Sequence, residues 1–282
     1  MNLKKTWEQA VIWARETKEM QPLVQNCYYD DPIELSAQRF YNSEEWAAIR
    51  AILDFAPQEQ VLEVGAGRGI MSWSFAKSGC EAYALEPDPS LIVGAGAIKQ
   101  LSNKTGINIH LVQEMGEKLP FEENTFDYVV CRAVLHHAAD LRQMCQEIAR
   151  VLKPGGKFLA IKEHIAETPE ELKVFLNRHP LHHLYGGENA YPLKEYKLAI
   201  QSAGLKLIKA YAPFDHPISW SPLHSFQSIR QQMQQSLSKR LPHSVSKQLV
   251  HHDFLVKLYC QWLNFRCKTP GREYSFLAIK RS

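Results

Sequence analysis

Three glycines at alternate positions, Gly65, Gly67 and Gly69, follow the apolar run Val61-Leu62-Glu63-Val64. A main chain stripped of side chains can turn tightly and let a ligand lie directly against it. The spacing is G-x-G-x-G, because Ile70 stands where a pyrophosphate-binding loop carries its third glycine. Glu86 comes 21 positions after Gly65, at the end of the next apolar run. A carboxylate there can accept hydrogen bonds from both hydroxyls of a ribose. The alternative reading of Glu86 is a helix-start charge before Pro87. A second group of reactive side chains lies further along. Arg132, His136 and His137 follow one apolar run and Glu163 and His164 another, and His179, His182, His183, Tyr185 and Glu188 crowd H-P-L-H-H-L-Y-G-G-E. Any one of these imidazoles alone reads as a hydrogen-bonded structural residue. As a group they mark a pocket, because titratable side chains concentrate at functional sites. His179-x-x-His182-His183 lacks an acidic partner at ligand spacing, so no metal is expected.

The elements that must position these residues show a regular alternation. Short apolar runs fall at 61–65, 81–86, 107–112, 126–131 and 157–162, with helix-like stretches at Met71–Ser78, Pro89–Thr105 and Asp140–Leu152. Such alternation builds βαβ units and a mostly parallel sheet, and continuous apolar strands suit a sheet covered on both faces. Open sheets of this kind bind ligands beyond the carboxyl ends of their strands. Upstream, 37–55 is helical with a break at Asn42-Ser43, where Ser43 caps a new helix. Downstream, 163–193 is expected to be irregular with one short helix at Pro169–Asn177. A helix at Leu193–Ala203 and a strand at Leu205–Ala212 follow it. Two amphipathic helices are then read from Phe226, Ile229, Met233, Leu237 and Leu241 and from Leu249, Phe254, Leu258, Trp262 and Phe265. Glu273–Lys280 is the last strand.

The run E-V-G-A-G-R-G resembles motif I of the class I S-adenosylmethionine (SAM)-dependent methyltransferases, in particular the type-11, ubiquinone-biosynthesis-like branch. The resemblance continues through L-P-F (119–121), F-D-Y-V-V (126–130), L-H-H (135–137) and V-L-K-P-G-G (151–156), in the order and spacing of that family. It implies an α/β fold: a Rossmann-like, seven-stranded, mostly parallel sheet with helices on both faces, the last strand antiparallel. An N-terminal lid (1–45), a core (46–220, with 163–193 as an acceptor loop), a helical cap (221–266) before the last strand, and that strand (267–282) complete it. SAM is the implied cofactor, held by Glu63, Gly65, Ala66, Gly67, Gly69, Glu86, Pro87, Met115, Gly116 and Arg132. Glu63 is read either as a neighbour of the methionine end or as a carboxylate holding the loop through backbone hydrogen bonds. Arg68 is expected to point to solvent or to the insertion. The family often carries an acid at the position of Met115, where it meets the adenine amino group; Glu114 or Glu117 would have to stand in.

SAM brings its own leaving group, so alignment and exclusion of water supply much of the rate, and a base is needed only for a protonated acceptor. His136, His137, Glu163 and His164 are the catalytic candidates. His179, His182, His183, Tyr185 and Glu188 are the acceptor contacts, with Tyr28 and Tyr29 either on a lid or in surface packing. The expected acceptor is a small or medium-sized molecule, a sugar or other metabolite of cell-surface glycan or natural-product biosynthesis. The net charge of +3 divides into −5 over residues 1–220 and +8 over 221–282. That basic quarter would attract an anionic acceptor, or form a solvated face. A nucleic-acid acceptor is the alternative, but Cys131-Arg132-Ala133-Val134 carries no base-gripping N/D-P-P-Y/F box. A nicotinamide oxidoreductase would share the fold but not the glycine spacing. No apolar stretch approaches the roughly 20 residues of a membrane span. The six cysteines show no C-x-x-C spacing. A cytoplasmic location with reduced thiols is expected.

Overall fold

The computed structural model describes residues 4–281; Met1–Leu3 and Ser282, the ends of the expected lid and last-strand segments, lie outside the described residues. The chain opens on helices α1 (Trp7–Glu16), α2 (Gln21–Asn26), α3 (Ile33–Tyr41) and α4 (Glu44–Leu53). The break between α3 and α4 falls at Asn42-Ser43, and the Ser43 hydroxyl accepts the Trp46 amide at 3.1 Å, the cap expected from the sequence. The alternating part follows as β1 (Gln60–Val64), α5 (Ile70–Lys77), β2 (Glu81–Leu85), α6 (Ala95–Thr105), β3 (His110–Val112), β4 (Phe126–Arg132), α7 (Leu141–Val151) and β5 (Leu152–Ile165). The remainder comprises α8 (Pro169–Arg178), α9 (His182–Tyr185), α10 (Leu193–Ser202), β6 (Leu205–Tyr211), α11 (Pro217–Trp220), α12 (Phe226–Ser238), α13 (His243–Leu249), α14 (Asp253–Arg266) and β7 (Arg272–Lys280).

The seven strands form one sheet in the order β3-β2-β1-β4-β5-β7-β6. β7 is antiparallel to both neighbours, and the other pairings are parallel. The sheet is buried on both sides because alternate residues of each strand feed different cores. Val61, Tyr128 and Leu159 pack with Trp46, Phe75 and Ile98 from α4, α5 and α6. Leu62, Val129 and Phe158 pack with Ile148 and Tyr196 from α7 and α10. The order reverses between β1 and β4, and that switch point is where a sheet of this topology opens a ligand crevice.

Three local expectations change. Glu163 and His164 do not follow the fifth strand; they lie within it, paired with Tyr274 and Glu273 of β7 after an irregularity beyond Ala160. The 163–193 loop contains α9 as well as α8, and Ile165 bridges to Tyr191. The 221–266 insertion holds three helices, because Pro242 ends the first run and starts α13. Its buried side chains Ile229, Met233, Val250, Val256 and Cys260 form a separate small core with Trp220 of α11. Among the described residues, no helix is long and apolar enough to cross a membrane.

Candidate active site

The turn after β1 runs through left-handed backbone at Gly65, Gly67 and Gly69 (φ 66°, 54° and 71°). The three glycines serve different needs. A Cβ on Gly65 would stand 2.7 Å from Val134, and one on Gly69 would stand 2.9 Å from Ile98, so both allow close packing. A Cβ on Gly67 would meet only the Val93 carbonyl oxygen, at 3.7 Å. Gly67 is bare because its own conformation and the space beyond it require it.

Carboxylates at the strand ends fix this turn. Glu86, just after β2, accepts the Gly67 amide at 2.6 Å through Oε2 and the Asp88 amide at 2.9 Å through Oε1. Glu63, in β1, accepts the Ser72 amide at 2.7 Å and the Ser72 hydroxyl. Ser72 stands in the first turn of α5, so these bonds tie β1 to that helix, while Glu63 also borders the cavity described below. Burial pushes the Glu63 carboxyl up to about 7, against the lowering effect of the Ser72 donors. Burial likewise raises Glu86, opposed by the amides of Asp88 and Gly67. Glu163, within β5, accepts the amides of Val134 and His136 at 3.2 and 3.0 Å and meets His136 Nδ1 at 2.8 Å.

A cavity of about 430 Å³ opens beyond the carboxyl ends of β1, β2 and β4. Of the residues expected at the cofactor, Glu63, Gly65, Ala66 and Gly67 border it, as do Glu86 and Pro87. Met115, Gly116 and Arg132 border it too. Gly69 does not, since its bare α-carbon faces Ile98. Glu117 reaches the wall while its carboxylate accepts the Ala139 amide; Glu114 instead accepts its neighbour Met115's amide. Of the acceptor set, Tyr28, Tyr29 and Tyr185 border the cavity, joined by Trp7, whose ring lies 5.7 Å from that of Tyr29 and 4.6 Å from that of Tyr185.

The histidines divide. His137 borders the cavity, whereas His136 is buried at 1% exposure behind it. Burial, with His137 and His164 nearby, holds His136 well below the ordinary imidazole value. Neither Glu163 nor His164 reaches the cavity, contrary to their expected catalytic place, because both are tied into β5 and its pairing with β7. His179, His182 and Glu188 also stand back from the wall, and His183 is exposed with Nε2 on the Asn177 carbonyl at 2.9 Å. No residue of 221–266 borders the cavity among the described residues, so the insertion expected as its cap packs elsewhere.

Arg68 overturns its expected position. It is buried, donates to the carbonyls of Tyr28 and Asp30 at 2.7 Å each, and pairs with Asp31. Arg15 from α1 reaches the same Asp31 at 2.7 Å. The glycine turn therefore holds the N-terminal segment over the cavity through one guanidinium. Arg132 is paired with the fully buried Glu45 at 2.7 Å, and Lys162 stands 3.8 Å from Glu45 and 3.7 Å from Glu273. Burial lowers the Arg132 pKa, but Glu45 more than offsets this and leaves it raised. Glu45 reads in the sequence as an ordinary first-turn helix charge. Arg132, 87 positions away, and Lys162 beside it explain its burial.

Gly67→Ala should stay folded, at a cost of about 1–2 kcal/mol for a left-handed alanine, and should weaken SAM binding by more than about tenfold. Gly69→Ala, driven into Ile98, should lose stability first. Calorimetric SAM titration beside thermal denaturation separates the two. Glu63 gives a pH test. A carboxyl bound more tightly to its proton in the fold loses stability as pH rises from an unfolded value of about 4.3 to about 7. Glu63→Gln lacks that loss, so its melting temperature relative to wild type should climb by roughly 5 °C between about pH 4.5 and pH 8. A constant difference across that window would contradict the raised carboxyl.

Residues 62–160 match the family described as methyltransferase domain, type 11. The uncharacterized methyltransferase YcgJ of Bacillus subtilis is 30% identical over 141 residues, covering 49% of this chain and 55% of that protein. The demethylmenaquinone methyltransferase of Corynebacterium urealyticum is 40% identical over 114 residues, 40% of this chain and 45% of its own. The chain thus spans about half the length of the curated relatives it matches. Among solved structures, phosphoethanolamine N-methyltransferase 2 of Haemonchus contortus, in complex with S-adenosyl-L-methionine, superposes with a TM-score of 0.56 at 18% identity. It covers 93% of this chain and 60% of that one, a likeness of fold. Residues 62–160, which hold the glycine turn and the Glu86 strand tip, are a SAM-dependent methyltransferase domain of the class I, type-11 branch.

Proposed function

We propose that this chain transfers the methyl group of SAM to a planar, medium-sized acceptor held beneath the N-terminal segment. The observation behind this reading is a cavity whose lining combines two chemically different sets of residues. Bare main chain from Gly65 to Gly67, with Glu86 beside it, suits a ribose and a sulfonium. Glu86 keeps lone pairs for the ribose hydroxyls, and Met115 and Gly116 flank the adenine. Trp7, Tyr28, Tyr29 and Tyr185 are the aromatic set of the lining. Aromatic walls favour flat rings. Both guanidiniums on the border, Arg68 and Arg132, are already paired with carboxylates. A neutral ring therefore fits better than the anionic acceptor suggested by the basic last quarter of the sequence.

Several relatives are named demethylmenaquinone methyltransferases, which makes a quinone-type ring the leading candidate. A sugar ring, the acceptor expected from the sequence, would stack on the same walls. Transfer is an in-line displacement in which the acceptor atom bonds to the methyl carbon as the carbon–sulfur bond breaks, leaving S-adenosylhomocysteine, and the proton displaced from the acceptor atom passes to water. Alignment under the closed segment supplies most of the rate, and His137 is the imidazole placed to orient the acceptor at the cavity edge. Calorimetry should show SAM binding and no NAD binding, with Glu86→Ala weakening SAM by about 10–100-fold through two lost charge-assisted hydrogen bonds. Turnover of SAM should be greater with a demethylated quinol than with sugar acceptors. Failure to bind SAM would sink the cofactor placement; turnover with sugars alone would sink the ring assignment.

A further inference from the structure

Next to His137 and Tyr185 of the cavity wall, imidazoles surround one carboxylate. The ligand atoms of His136, His164 and Glu188 all lie within 4.8 Å of one another. His136 Nε2 is 3.7 Å from Glu188 Oε2, and His137 Nε2 is 3.9 Å from the same oxygen. Their other ring nitrogens are already engaged. His164 Nδ1 meets the Gly271 carbonyl at 2.9 Å, and His137 Nδ1 meets the Gly187 carbonyl at 3.0 Å. A carbonyl oxygen only accepts, so Nδ1 carries the proton and Nε2 a lone pair. His136 Nδ1 meets Glu163 Oε2, which already accepts the His136 amide, and the same tautomer follows. Glu188 Oε1 accepts from the Tyr185 hydroxyl, whereas Oε2 is buried with no hydrogen-bond partner among the described residues, on a side chain only 5% exposed. Lone pairs turned toward an unpartnered carboxylate oxygen repel one another, and a cation among them removes the conflict.

We propose that His136, His164 and Glu188 form a site for a divalent transition-metal ion of the zinc class, which pins the 179–188 segment to the ends of β4 and β5. Imidazole and carboxylate are the ligands zinc accepts, at bonds of about 2.0–2.2 Å, so tetrahedral partners stand about 3.3–3.5 Å apart. The His136–Glu188 separation is a few tenths of an ångström wider than that. Glu163 behind His136 is the carboxylate–imidazole pairing that orients metal-bound histidines. His137 and Tyr185 border the cavity while their neighbours form the site, so an ion here would set the shape of the acceptor chamber. The site stands apart from the methyl-transfer reading, since metal content is measured without SAM or acceptor.

The test uses the full chain without a histidine tag, stripped with a chelator and titrated with Zn²⁺ against a chromogenic competitor. About one equivalent per chain should bind, and Glu188→Gln and His164→Asn should each weaken it by more than about 100-fold. Zinc at about 100 times its Kd should raise the wild-type Tm by roughly 5 °C or more, and not that of the variants. Circular dichroism and SAM titration report whether the variants fold. Absence of zinc, cobalt and nickel binding by the wild type overturns the proposal, as does binding unchanged in both folded variants.

A different observation carries a second inference. Helix α14 turns Val256 and Cys260 inward and leaves Phe254, Leu258, Trp262 and Phe265 exposed at 69%, 44%, 47% and 76%. Their spacing puts all four on one helix face. Exposed Lys257, Arg266 and Lys268 flank it, with Arg266 over the Trp262 ring at 5.3 Å and Lys268 over the Phe265 ring at 5.8 Å. Ten basic residues against two acidic ones over 221–282 give this quarter the charge an anionic surface attracts. We infer that this face lies on an anionic lipid bilayer, because an aromatic stripe rimmed by lysine and arginine is the pattern of an interfacial helix. The full chain should float with vesicles containing about 30% phosphatidylglycerol, but not with phosphatidylcholine alone, and should release at high salt. Phe254→Ser with Phe265→Ser should abolish flotation. Retention by the double variant, no flotation by the wild type, or a dimer that only the double variant dissolves would each overturn it.

Discussion

Carboxylates buried at the ends of strands hold the loops around the cavity by accepting main-chain amides. Glu63 takes the Ser72 amide, Glu86 those of Gly67 and Asp88, and Glu163 those of Val134 and His136. A loop has no ladder to satisfy its amides, and leaving one buried and unpaired is costly. A carboxylate can accept several such bonds at once, and low local dielectric strengthens each. The same burial raises all three carboxyls. The turn that would receive the cofactor and the turn that carries the histidines are therefore built by one device.

That device tolerates strain. Tyr28, Ala133 and Lys162 adopt left-handed backbone (φ 59°, 57° and 62°), which costs a residue with a side chain about 1–2 kcal/mol. Each is held from outside its own loop. Arg68 binds the Tyr28 carbonyl, the Ile161 carbonyl takes the Ala133 amide at 2.7 Å, and the Ser275 hydroxyl takes that of Lys162 at 3.2 Å. Two of the three border the cavity, where such conformations bring backbone and ring to a ligand.

Charge inside the molecule is matched as closely. Arg68 joins the glycine turn to the N-terminal segment, and Arg132, Glu45, Lys162 and Glu273 link β4, α4, β5 and β7. Removing a single member of such a buried set strands its partner, a larger loss than the pair's net contribution. The glycine turn and the N-terminal segment above it are thus coupled through side chains that need not touch a ligand.

Much of this was legible in the residues alone. The apolar runs became strands because each buries two faces, Ser43 capped its helix, and the glycine spacing with Glu86 located the cavity. These features depend on neighbours within a few positions, or on a motif that matches a family pattern. The sequence could gather the histidines but not sort them. His137 reaches the cavity while His136 beside it is buried, since a short turn points successive side chains in different directions. Arg68 read as pointing to solvent or to the insertion, and Glu45 as a helix-start charge, because their partners come from other segments, Asp31 and Arg132. Such pairings have no local signature; they exist only once the sheet has brought distant loops within hydrogen-bond reach.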